Sequence, residues 1–239
     1  MASNSETGHS VNISNFKLLI DKCTALGAPY NPSNTDLTID FMTGKWRTAD
    51  TAHQAVTRAL QLSKKPVNDR QLLFDPADKL VTRTLNYYNS TKASPGMKAS
   101  AKGLADRFRG YGSEVPKLAD GTPDPAYVSN SQQSFVQKGD ILRQLADLYA
   151  SDDQYAPNEK DLGTEALASL AAAMKTANDT LGEILAPLEI ARITRNHALY
   201  DAQQGILDIA QACKNYVKGA FGARAPETRG ITGIRFTRP

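Results

Sequence analysis

The sequence predicts an all-α protein: a helical bundle of two tandem repeats in pseudo-symmetry, with short strand-like segments at both ends. Three observations predict this fold. Apolar residues recur at helical spacing through most of the 239 residues. The segment Tyr30–Leu37 is echoed by Tyr155–Leu162, an offset of 125 residues that indicates an internal repeat. A clear alternation of apolar and polar residues occurs near the two termini.

The repeat extends beyond the echoed segment, since Leu60 falls on Leu185 at the same offset. We therefore expect the two copies to pack together as one domain. The predicted organisation is an extended N-terminal arm (1–13), a first helical repeat (14–110), a Pro/Gly-rich linker (111–130), a second helical repeat (131–222) and an extended basic C-terminal tail (223–239).

Prolines and glycines set the predicted helix bounds in the first repeat. Gly27 and Pro29 end a short first helix, and Pro66 ends the second, because proline removes a helical hydrogen bond and clashes with the preceding turn. Proline suits the first turn of a helix, which Pro76 and Pro95 would occupy. The helices after the first are expected over about 34–63, 76–91 and 95–109.

The second repeat begins near residue 131 and contains one long helix over 159–200. Asp201 opens the last helix, which ends near Gly222. Between the repeats, five proline and glycine residues after Tyr111 predict a loop or linker.

The two ends have a strand pattern, over Ser10–Ser14 and Ile231–Thr237. Such strands either pair with each other within one molecule or are donated to a second copy, which builds a homo-oligomer or filament. The interface residues of the second arrangement would be Val11, Ile13, Arg229, Ile231, Ile234, Arg235 and Phe236.

Four repeated acids resemble a duplicated acid/base site but sit where helices begin. Asp36 and Asp161 each follow a capping residue by three positions, close to the capping-box pattern. Asp75 precedes a proline as an N-cap would, and Asp201 holds the same place in the second copy. Capping therefore accounts for all four acids.

No motif in the chain predicts catalysis, a cofactor or a metal. Asp50 and His53 share one helix face, as in two-metal bundles, but the second copy has Lys175 and Asn178 there. Cys23 and Cys213 are the only cysteines, which predicts apolar core positions in a reducing compartment.

An alternative function is a small-molecule or enzymatic site between the repeats, where matches between the copies break down. The residues that would line this pocket are Asp50, His53, Tyr149, Asn178 and Glu189.

Charge is concentrated at one end. The chain carries +3, but residues 214–239 hold six cations and one acid, a local +5, so the rest carries −2. The whole-chain charge does not favour nucleic acid. The basic tail suits an acidic protein surface and, as a third function, phosphate or nucleic acid.

The start of the sequence has no signal-peptide pattern, and no apolar run reaches the length of a membrane span. These features predict a cytoplasmic protein that does not enter a membrane.

The C-terminal pattern Tyr200-Asp, Gly205-Ile-Leu-Asp-Ile-Ala, Tyr216-Val-Lys-Gly-Ala-Phe-Gly222, Ala225-Pro-Glu227 and Ile234-Arg-Phe236 resembles the tails of uncharacterised all-helical bacterial proteins. The resemblance implies a bacterial origin and carries no information about function. The leading function expected from the sequence is therefore non-enzymatic: a self-assembling or partner-binding structural protein that uses its extended termini as part of the interface.

Overall fold

The computed structural model describes residues 4–111 and 134–238. The chain is all-helical, with 79% helix and no strand among the described residues. The α-helices in chain order are α1 (Asn4–Ala25), α2 (Ile39–Phe74), α3 (Ala77–Ser90), α4 (Pro95–Arg109), α5 (Phe135–Ala150), α6 (Thr164–Tyr200), α7 (Ile206–Phe221) and α8 (Pro226–Thr232). Short 3-10 helices, Thr35–Leu37 and Lys160–Leu162, precede the two long helices α2 and α6.

The chain forms two compact units, and both long helices contribute to each. The first unit consists of Met1–Leu62 and Ile184–Pro239, and the second is Ser63–Glu183. Each boundary therefore falls inside a long helix. The first unit combines α1 and the start of α2 with the end of α6, α7 and α8, whereas the second combines the end of α2, α3 and α4 with α5 and the start of α6.

The core of the first unit is closed by side chains from opposite ends of the chain. Phe16 and Leu19 of α1 are fully buried with Val217 of α7, and Ile231 of α8 packs in the same cluster. Each such side chain removed from water contributes about 2–3 kcal/mol. The first unit therefore depends on both the N-terminal and the C-terminal residues.

The core of the second unit is rich in tyrosine. The ring of Tyr149 stacks on that of Tyr155 with centroids 4.1 Å apart, and Tyr88 meets both rings edge-on. The Tyr88 hydroxyl donates to Asp152 at 2.5 Å. Burial raises the pKa of Tyr88, Tyr149 and Tyr155, because an anion would lose its water there.

The predicted N-terminal strand and extended arm are wrong, because Ser10–Ser14 lies inside α1. Asn12, Ile13 and Phe16 are buried on one face of this helix, at helical spacing. Packing of that face outweighs the β-preference of Val11 and Ile13, which is weak compared with burial.

The predicted C-terminal strand is also wrong. Residues 226–232 form α8, with Pro226 in its first turn, and residues 234–238 form neither helix nor strand. Ile231 and Ile234 are both buried, the first from a helix and the second from the residues after it. Their alternation with polar residues reflects burial against helices and not strand pairing.

The prediction that Pro66 ends a helix is wrong, since α2 continues to Phe74. Proline has no N–H for the carbonyl of Leu62, four residues earlier. Leu62 is 65% exposed, so water can take that hydrogen bond and the helix can continue.

Asp75 and Asp201 are not N-caps. Asp75 accepts a hydrogen bond from Gln71 in the last turn of α2, and Asp201 pairs with His197 at 2.7 Å. The residue that precedes α7 is Gly205, so α7 begins five residues after the predicted position.

The capping boxes predicted around Asp36 and Asp161 are absent. Asn34 caps its 3-10 helix by accepting from the Asp36 N–H at 3.0 Å, and the Asp161 carboxylate pairs with Arg83. Ion pairing lowers the pKa of Asp161.

Other predicted bounds agree with the structure. Helix α4 covers Pro95–Arg109, with the Ser94 hydroxyl accepting from the Met97 N–H and Gly110 in a left-handed conformation (φ 77°) after its end. The predicted linker, apart from Tyr111, lies outside the described residues.

Candidate functional site

The C-terminal segment, residues 233–238, lies on α1, where side-chain amides bind its backbone. Asn12 makes two hydrogen bonds to Thr237: its Nδ2 donates to the carbonyl at 2.7 Å and its Oδ1 accepts from the N–H at 3.0 Å. Asn15 donates to the carbonyl of Arg235 at 2.8 Å. These bonds give backbone groups outside any helix the hydrogen-bond partners that they would otherwise lack.

Helix α7 holds the same segment from another side. The Lys214 ammonium donates to the carbonyl of Ile234 and lies 4.8 Å from the centre of the Phe236 ring. Burial lowers the pKa of Lys214. Arg238 pairs with Asp208, whose pKa is lowered by a hydrogen bond from the Gln203 backbone and also by Arg238.

Lys22 of α1 donates to the carbonyl of Gly230 at 2.7 Å, which brings the end of α8 against α1.

The cations that do not hold the segment in place point to solvent. The remaining cations of residues 214–239 are exposed, and we call them the basic surface: Lys218, Arg224, Arg229 and Arg235. The single acid of this stretch is Glu227, so the basic surface keeps a positive potential.

The predicted interface residues fall into two groups. Ile13, Ile231 and Ile234 are buried in the first unit, and Phe236 packs against that core while partly exposed. The predicted interface residues that are exposed are Val11, Arg229 and Arg235.

The residues predicted to line a pocket do not belong to one compact unit. Asp50, His53 and Glu189 lie in the first unit, whereas Tyr149 and Asn178 lie in the second.

The residues predicted to line the pocket have different hydrogen-bond partners. Asp50 accepts from Gln54 at 2.7 Å, and Glu189 pairs with Arg192 at 2.8 Å. Asn178 donates to the carbonyl of Phe135 at 3.1 Å. The His53 Nδ1 is buried without a hydrogen-bond partner among the described atoms.

A groove beside α7 was not predicted from the sequence. It has a volume of about 420 Å³, and its polar lining residues are Asn34, Asp36, Gln203, Asp208, Gln211 and Asn215. Gln203 has a positive φ of 65°, and Gly205 leaves no room for a side chain beside the end of α6. The sequence signal for this tight turn is Gly205, and the groove residues themselves have no motif.

Among residues 4–111 and 134–238, no group of three or more histidine, cysteine, aspartate or glutamate side chains could hold a metal ion. In the same part of the chain, no helix combines the length and the apolar character that crossing a membrane requires. No protein-family model, curated protein or solved structure matches the sequence or the fold.

Proposed function

We propose that this is a non-enzymatic partner-binding protein whose basic surface binds an acidic protein surface. The observation that carries the proposal is that some cations near the C-terminus bind the protein itself while others are exposed. Lys214 and Arg238 hold the backbone in place, whereas Arg229 and Arg235 are exposed to a partner.

Binding by such a surface has a reduced entropic cost. The amides of Asn12 and Asn15 already fix the backbone next to Arg235, so a partner has to order only the arginine side chains. Exposed guanidinium groups pair with carboxylates through two parallel hydrogen bonds. The −2 charge of the rest of the chain confines the attraction to this end.

The test measures binding of the full chain to a fluorescent polyglutamate peptide by anisotropy, at low and at near-physiological salt. We expect the double variant R229E/R235E to weaken binding at least tenfold. The matched control is R47E/R58E, which makes the same charge change at two exposed arginines of α2 in the same unit and should weaken binding much less.

The competing probe is a DNA duplex of equal charge. Tighter binding to DNA than to polyglutamate, with a steep dependence on salt, would assign the surface to nucleic acid instead. Absence of binding to either probe at low salt would exclude both functions.

A second candidate function is self-association through α6. Leu185, Ile190 and Ile193 are exposed by 37%, 65% and 56% on this helix. If two copies of α6 pack antiparallel about Glu189, Leu185 of each copy faces Ile193 of the other.

Sedimentation equilibrium tests this candidate. The variant I190K should remove a concentration-dependent dimer, and L72K, at an apolar residue that is 70% exposed on α2, should leave it intact. A wild-type protein that stays monomeric at high concentration would contradict self-association.

In this proposal the two units are two copies of one helical module. Each unit contains helices from both halves of the chain, an arrangement that we call the exchange of halves. In the first unit the Tyr30 hydroxyl donates to the carbonyl of Leu37 at 2.7 Å, and in the second the Tyr155 hydroxyl donates to that of Leu162 at 2.8 Å. Both carbonyls end a 3-10 helix before a long helix. Duplication accounts for two identical buried bonds 125 residues apart.

A further inference from the structure

The only two cysteines of the chain meet inside the first unit. Cys23 of α1 and Cys213 of α7 have their sulfur atoms 3.5 Å apart, although the residues are 190 positions apart in the sequence. Both side chains are fully buried. A bonded sulfur pair is about 2 Å apart, so a shift of about 1.5 Å shared by two side chains would close the gap.

A tyrosine fixes the direction of the hydrogen bonds at this pair. The Tyr30 hydroxyl donates to the Leu37 carbonyl at 2.7 Å, so its oxygen can accept from the Cys213 thiol at 3.4 Å. The Cys23 thiol then donates to the Cys213 sulfur. This bond, together with burial, raises the pKa of Cys23. The same bond lowers the pKa of Cys213 and outweighs the opposite effect of burial there, which makes Cys213 the more nucleophilic sulfur.

We propose that Cys23 and Cys213 are a covalent modification site, which a hydroperoxide converts into a disulfide that joins α1 to α7. The Cys213 sulfur attacks hydrogen peroxide, the O–O bond breaks, and a sulfenic acid forms while one water leaves with the thiol proton. The Cys23 sulfur then attacks the sulfenic sulfur, the S–O bond breaks, and a second water leaves. The two thiols lose two electrons and the peroxide gains them.

The second unit lacks this pair and serves as an internal contrast. The edge-on contact of Tyr30 with Tyr216 (5.4 Å) has its counterpart in that of Tyr155 with Tyr87 (5.3 Å). Cys213 lies three residues before Tyr216, and Cys23 seven residues before Tyr30. The residues at the corresponding positions of the second unit are Thr84 and Leu148.

The disulfide would lock the two helices that hold the C-terminal segment. Helix α1 holds it through Asn12 and Asn15, and α7 through Lys214, which is adjacent to Cys213. Closing a loop of 190 residues restricts the unfolded chain strongly. We therefore expect oxidation to raise the midpoint of thermal unfolding by about 10 °C.

The experiment treats the reduced full-length protein with hydrogen peroxide and follows it by intact mass and non-reducing peptide mapping. The expected product has lost the mass of two hydrogen atoms and contains a peptide pair linked through Cys23 and Cys213. The pair is buried, so the reaction should be slow and should accelerate in mild denaturant, as local opening becomes more frequent.

Single variants separate pair formation from ordinary thiol oxidation. C23A should gain oxygen atoms at Cys213 without losing two hydrogens, and C213A supplies the same comparison if C23A does not fold. The proposal is overturned if the wild-type protein gains oxygen at each cysteine independently, forms only disulfides between chains, or does not react even in mild denaturant.

Discussion

The substitution Asn12→Ala tests how the C-terminal segment is held. Asn12 is 1% exposed and makes the paired hydrogen bonds to Thr237, at 2.7 and 3.0 Å. Each buried hydrogen bond contributes about 1 kcal/mol net. Alanine recovers about 0.5 kcal/mol through its higher helix propensity, but it also leaves a small cavity. We therefore expect the free energy of unfolding to fall by about 2 kcal/mol.

Urea unfolding of the full chain measures this change, and tryptic cleavage at Arg235 reports whether the segment has detached. The matched control is Asn15→Ala on the same helix, which removes one exposed hydrogen bond, 2.8 Å long. That variant should lose less than about 1 kcal/mol and keep the protease resistance of the segment. Equal losses from the two variants, or unchanged cleavage in Asn12→Ala, would refute the account of the segment.

Five further substitutions give sharp expectations. Gly205→Ala should destabilise the protein by more than about 2 kcal/mol in urea, because its Cβ would lie 2.6 Å from a backbone carbonyl, whereas Gly219→Ala has open space and should stabilise it slightly. Tyr30→Phe and Tyr155→Phe should each cost about 1–2 kcal/mol, since each leaves a buried carbonyl without its donor; an unchanged free energy of unfolding in either variant would contradict this. A tyrosine hydroxyl holds the pKa of Asp152 below its usual value, so this contribution to stability is present above about pH 4 and is lost as the pH falls through the folded pKa. Asp152→Asn should therefore destabilise at neutral pH and lose its effect in acid; a pH-independent effect on urea unfolding would contradict this.

Local signals predicted the helical fold well where they were strong. Ser94, Pro95 and Gly110 mark both ends of α4, because each residue favours one specific position at a helix terminus. The apolar residues Phe16 and Cys23 are seven positions apart, a helical spacing, and both lie on the buried face of α1. These signals act within one turn of helix and need no knowledge of the rest of the molecule.

The errors arose where long-range packing decided the structure. Val11 and Ile13 have strand propensity, but Ile13 is buried in a core completed by α7 and α8. The error at Pro66 has a different cause: a proline ends most helices, but α2 continues because the turn before Pro66 is exposed and water can take the lost hydrogen bond. Propensity describes a residue in isolation, and tertiary contacts override it.

The composition of the units and the thiol pair could not be predicted from local patterns. Both long helices cross the boundary between the units, and each continues through a proline close to that boundary, Pro66 in α2 and Pro187 in α6. Cys23 and Cys213 are 190 residues apart, and no sequence pattern around either cysteine predicts that the two are in contact. Only the fold brings the N-terminal and C-terminal segments together.

The most direct test of the account is cleavage of the folded full-length chain at a specific protease site introduced between residues 112 and 133. Each compact unit takes helices from both sides of this site, so both fragments are needed to complete either core. We expect the two cut pieces to elute together from a sizing column at the volume of the intact protein and to separate only in denaturant. Fragments that separate without denaturant and remain helical would show that each repeat folds by itself, and would contradict the exchange of halves between the two units.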